Sequence, residues 1–138
     1  MKEKSLLYIA LIQALIATLG SLYASEAQHL IPCLLCWYQR ILMYPLIIIL
    51  SVGILRRDKH LPFYVLPMSI IGMGIAFYQY LLQRGVIAES LAPCREGISC
   101  ANTTGQIWFG FITIPLLSFC AFAIITGVVY FSYRIHKQ

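Results

Sequence analysis

Four apolar stretches, each about as long as a bilayer is thick, govern what this 138-residue chain can become. They cover residues 6–24, 37–55, 61–82 and 107–131, and crossing the hydrocarbon takes roughly 20 apolar residues in a helix. Lipid offers no partner to an unpaired backbone N–H or C=O, so runs of this length are helices. With 60% of residues hydrophobic and 11% charged, the chain has too little polar surface for a water-soluble domain. The expected fold is all-α: an integral membrane four-helix bundle, one domain over residues 1–138.

The first run could be mistaken for a secretory signal, because Lys2 and Lys4 precede it. It is longer than the roughly 7–15 apolar residues of a signal core and reads as a retained helix. The basic residues then set the orientation. Lys2, Lys4, Arg56, Arg57, Lys59, Arg134 and Lys137 gather at the two termini and the middle loop. Those parts are expected in the cytoplasm, and the outer loops, 25–36 and 83–106, on the other side. The same distribution accounts for the net charge of +5 without nucleic acid as a partner; the surroundings are membrane lipid.

Both outer loops carry a cysteine pair. Cys33 and Cys36 form a C-x-x-C at the mouth of the second span, and Cys94 and Cys100 lie in the longer loop. Disulfides persist on the extracytoplasmic side. A dithiol beside the bilayer and a second one in a glycine-containing loop suggest a relay for electrons. About ten residues separate Cys94 from the end of the third span, a reach of up to roughly 35 Å, so the pairs can meet. The same four cysteines could instead hold zinc, but that suits an oxidising space poorly. They could also be inert staples, although a bridge across so short a loop as Cys33–Cys36 stabilises little.

Chemistry favours the redox reading at Cys36. The start of a helix has unbonded N–H groups and the positive end of the dipole, which lower a thiol's pKa. Arg40, four residues on, lies on the same helix face one turn deeper. A cation inside a span costs at least a few kcal/mol and marks a functional site by default; snorkelling to the interface is the bland alternative. Gln13 and Gln79 are polar groups inside spans, for which helix–helix hydrogen bonding is the default and ligand contact the alternative. Cys120, in the fourth span, is expected to be buried and to pack as a small hydrophobe.

The string Pro32-Cys33-Leu34-Leu35-Cys36-Trp37-Tyr38-Gln39-Arg40, with four spans and a second cysteine pair in the second outer loop, resembles the disulfide bond formation protein B family, especially its short, BdbC-like Gram-positive form. The resemblance covers nearly the whole chain. The Cys94–Cys100 spacing is shorter than in the best-known enterobacterial members.

The resemblance implies a multi-pass enzyme of the bacterial cell membrane. It would reoxidise a thioredoxin-like extracytoplasmic thiol oxidase of the DsbA or BdbD kind and pass electrons to a membrane quinone. Menaquinone is favoured over ubiquinone by the Gram-positive likeness alone. Cys94 would be attacked by the partner's thiolate, Cys100 would help pass electrons on, and Cys33 would exchange with the loop pair. Cys36 would sit against the quinone ring and Arg40 would hold quinone or thiolate. Two rivals are a vitamin K epoxide reductase-like enzyme, whose C-x-x-C falls late in the chain, and a non-enzymatic membrane subunit stapled by disulfides.

Overall fold

The computed structural model describes residues 2–26, 34–86 and 114–138, which form four helices: α1 (Lys2–Glu26), α2 (Leu34–Arg56), α3 (Leu61–Gln83) and α4 (Ile114–Lys137). Helices of 23 to 25 residues are about 35 Å long at 1.5 Å per residue, enough to cross roughly 30 Å of hydrocarbon. All four are also apolar enough to do so, and the protein is a multi-pass membrane protein. The expected spans fall inside α1, α2 and α3. The fourth continues to Lys137, past residue 131, while residues 107–113 of that expectation lie outside the described residues.

Each helix packs on its chain neighbours, and α1 closes the ring against α4. Three contacts establish that neighbours run antiparallel. Arg40 near the start of α2 reaches Ser21 near the end of α1; Phe63 at the start of α3 meets Tyr133 at the end of α4, edge to face with ring centroids 5.6 Å apart. His136 Nδ1 lies 3.3 Å from Glu3 Oε2, joining the last turn of α4 to the first of α1. Both ends of the chain and the α2–α3 turn therefore share one end of the bundle, and Cys36 marks the other.

The tight α2–α3 turn explains how two spans fit so closely in sequence. Arg57 N–H donates to the Ile54 carbonyl at 3.3 Å and Asp58 N–H to the Gly53 carbonyl at 3.0 Å. This is a Schellman ending, and it places Arg57 at φ 54°. Asp58 Oδ1 then accepts from His60 N–H at 2.8 Å and leads the chain into α3. The end of α3 uses the same motif with a glycine: Gly85 (φ 76°) donates to Leu82 and Val86 to Leu81, both at 3.1 Å.

The interior is built from Ala10, Ala14, Leu46, Leu50, Leu61, Val65, Phe122, Ile125 and Val129. Gly72 makes room for the Phe122 ring, since a Cβ there would lie 2.5 Å from two of its carbons. Outward faces carry Ile12, Ile16, Leu19, Ile48, Ile71, Leu117 and Phe131, all exposed on the bundle. Lipid solvates such faces as well as a core does. That equivalence corrects one expectation. Cys120 is exposed on the outside of α4, where the same apolar character suits the lipid face.

Candidate active site

Of the four cysteines singled out by the sequence, Cys36 lies among the described residues; Cys33, Cys94 and Cys100 lie outside them. Cys36 is the third residue of α2, within the turn whose N–H groups have no acceptor inside the helix. No acidic residue shares that turn, so nothing on it competes for the positive end of the dipole. The cysteine is partly exposed, whereas the groups that reach it from inside are not.

Gln79, from the last turns of α3, donates from Nε2 to the Cys36 sulfur at 3.2 Å. Its Oε1 accepts from Gln39 Nε2 at 2.6 Å. Gln39 and Gln79 are 6% and 1% exposed, so both amides depend on each other rather than on water. Residues 36 and 39 are neighbours on one face of α2, and α3 presents Gln79 between them. The result is a one-way chain: Gln39 N–H to the Gln79 carbonyl, Gln79 N–H to sulfur. Beyond Gln79, Phe77 packs against Phe119 with centroids 5.7 Å apart, joining α3 to α4 at this end.

Arg40 occupies the other edge of α2. Its Nε donates to Ser21 Oγ at 2.9 Å and its Nη2 to the Ser21 carbonyl at 3.0 Å. The guanidinium carbon also lies 5.5 Å from the centroid of the Trp37 ring. These contacts help offset the cost of a charge within an apolar helix. Helix α2 therefore offers two polar edges at one level, Gln39 toward α3 and Arg40 toward α1, with exposed Trp37 and Tyr38 between them and the lipid.

A quinone head is a flat ring with two carbonyl acceptors, soluble in lipid, and needs donors at the edge of the hydrocarbon together with aromatic or apolar surroundings. Arg40, the thiol of Cys36 and the rings of Trp37 and Tyr38 make up such a set, so the residues fit that group. Sequence reasoning found Cys36 and Arg40 but treated Gln39 as one letter of a motif and Gln79 as ordinary helix glue. The available signal was that both are amides inside apolar runs, where each must find a protein partner.

Comparison with known proteins agrees with this picture. The model of the family "Disulfide bond formation protein DsbB" matches residues 3–132. The chain is 50% identical over 121 residues to the disulfide bond formation protein C of Bacillus subtilis (strain 168), covering 86% of each chain. It is 47% identical over 126 residues to a probable disulfide formation protein C of Halalkalibacterium halodurans, covering 90% of each. A probable disulfide formation protein of Deinococcus radiodurans is 41% identical over 137 residues, covering 94% of this chain and 89% of that one. No solved structure gives a significant match. A four-helix membrane bundle with a C-x-x-C opening α2, matched along almost its whole length, belongs to the disulfide bond formation protein DsbB family.

Proposed function

We propose that the protein is a thiol:quinone oxidoreductase. It reoxidises a thioredoxin-like thiol oxidase outside the cell membrane and delivers the electrons to a membrane quinone, sustaining disulfide formation in exported proteins. The observation that carries this reading is the Cys36 sulfur, held at a helix start by an inward-facing amide donor, one turn from an arginine inside the span. An inert bridge has no use for that setting. Family membership supports the coarser part, a disulfide-forming oxidoreductase.

The electrons balance in three exchanges. The partner's dithiol is oxidised as the Cys94–Cys100 disulfide is reduced, through a mixed disulfide at Cys94. The resulting dithiol reduces Cys33–Cys36 in turn, with Cys33 as the attacked sulfur. The Cys33–Cys36 dithiol finally closes to a disulfide, releasing two electrons and two protons. A bound quinone, with menaquinone favoured over ubiquinone, supplies the oxidising power for that last step. For a two-electron couple, each 30 mV of uphill mismatch between the steps costs about 1.4 kcal/mol. Cys36 would face the ring, with the start of α2 and the Gln79 donor beside its sulfur. Arg40 supplies the donor and positive charge beside it, fixed in direction by Ser21.

Purified protein in detergent, given a small dithiol and either quinone, tests the electron order. Cys36→Ala abolishes quinol formation. Cys94→Ala leaves rapid quinone-driven oxidation of prereduced Cys33–Cys36 intact while losing turnover with the partner. Equal loss of that rapid phase in both variants contradicts the order.

A further inference from the structure

We propose that the α2–α3 turn is a binding site for the headgroup of an anionic phospholipid, formed by Arg56, Arg57 and Lys59. The three cations are exposed and fall within four consecutive residues. Their Cα atoms therefore span roughly 11 Å at most, and their long side chains can converge on one phosphate. The carboxylate among them, Asp58, is engaged by the backbone, its Oδ1 accepting from His60 N–H at 2.8 Å. Among the described residues, none of the three cations has a side-chain hydrogen bond or an ion pair. The other acid at this end, Glu3, lies against His136.

Orientation in the membrane calls for basic residues at this end, but not for a strained one. Arg57 sits at φ 54°, in the left-handed region, where a side chain costs stability that glycine does not. The matching turn at the end of α3 uses Gly85, at φ 76°. Strain kept at one turn and avoided at the other marks the arginine side chain as the part in use. A guanidinium suits phosphate, because its fork of donors matches the oxygens. The flanking surface decides what kind of phosphate it meets. Leu55, next to the cations, is 82% exposed, and Phe63 and Tyr64 in the first turn of α3 are more than half exposed. A ligand that satisfies both the cations and these apolar neighbours carries a phosphate and acyl chains together, as a phospholipid does. Anionic leaflets attract basic clusters beside membrane spans in this way. Nothing in this site depends on Cys36.

The test is native mass spectrometry of the full-length protein in a neutral detergent. It is titrated with phosphatidylglycerol, with phosphatidylcholine of the same chains, or with glycerol 3-phosphate. Phosphatidylglycerol is expected to bind roughly tenfold more tightly than phosphatidylcholine or better, and glycerol 3-phosphate to give no adduct. Arg57→Gly and Arg57→Gln should each weaken phosphatidylglycerol binding by about fivefold, the share of one cation beside an anionic leaflet. The first substitution relieves the turn and the second keeps its strain, so a loss common to both belongs to the charge. Replacing Arg56, Arg57 and Lys59 together by glutamine removes the preference for the anionic lipid. Arg84→Gln, at an exposed cation on the opposite end of the bundle, leaves it intact. A triple variant that keeps the preference, or wild-type protein that binds the two lipids equally, overturns the site. Equal losses in Arg84→Gln and Arg57→Gln overturn its location. Glycerol 3-phosphate bound as tightly as phosphatidylglycerol overturns the lipid as occupant and puts a soluble phosphate in its place.

Discussion

Two polar pairs among the described residues cross between helices inside this bundle, one of amides and one of hydroxyls. Near Cys36, Gln39 of α2 donates to Gln79 of α3, and Gln79 donates to the sulfur. Deeper in, Thr126 of α4 donates to Ser69 Oγ of α3 at 2.9 Å but also reaches the Phe122 carbonyl at 2.8 Å, and Ser69 donates to the Leu66 carbonyl at 3.1 Å. The hydroxyl pair has a local alternative in its own helices; the amide pair is built across them. Polar groups bonded across helices are costly to place in a membrane, and here they sit beside the proposed redox cysteine. The surrounding interior, from Leu46 to Val129, is apolar and packs around the Phe122 ring over Gly72.

Substitutions at the two levels should therefore separate activity from stability. Cys36→Ala gives the largest effect, complete loss of quinone reduction with the thermal transition of the bundle unchanged within error. Gly72→Ala does the opposite. Its new Cβ has to displace a fully buried Phe122 ring, which lowers stability by about 1–3 kcal/mol in reversible detergent unfolding, while turnover per folded molecule holds. If Gly72→Ala abolished turnover in folded protein, the division between the two levels would fail.

Smaller effects sharpen the same contrast. Arg57 adopts φ 54° at the turn that Gly85 makes freely at the end of α3, and Arg57→Gly should stabilise the protein by about 1 kcal/mol in the same unfolding assay. Thr126→Val should cost roughly 0.6 kcal/mol, the ordinary worth of an interhelical hydrogen bond in a membrane. Cys120→Ala, on the lipid face, should be silent in both assays; a dead variant would give the fifth cysteine a role.

The sequence was most legible where physics is one-dimensional. Span length and the lack of backbone partners in lipid gave all four helices, and spacing placed Cys36 at a helix start with Arg40 inside the span. Rotation about each helix axis was not legible. In water an apolar stripe reveals the buried face, but lipid is as apolar as the core, so α4 gives no hydropathy cue that Cys120 points outward while Phe122 points in. The same gap hid the pairing of Gln39 with Gln79, 40 residues apart. Each amide is visible in the sequence, whereas the partner that gives it a purpose depends on how α2 and α3 are turned toward each other.

The most direct test is a single anaerobic mixing of prereduced, purified protein with menaquinone, counting thiols lost against quinol formed. A thiol:quinone oxidoreductase loses two thiols for each quinol, and Cys36→Ala forms none. Folded wild-type protein that yields no quinol from menaquinone or ubiquinone, or a Cys36→Ala variant that yields as much as wild type, would contradict the assignment of Cys36 as the residue that passes electrons to the membrane.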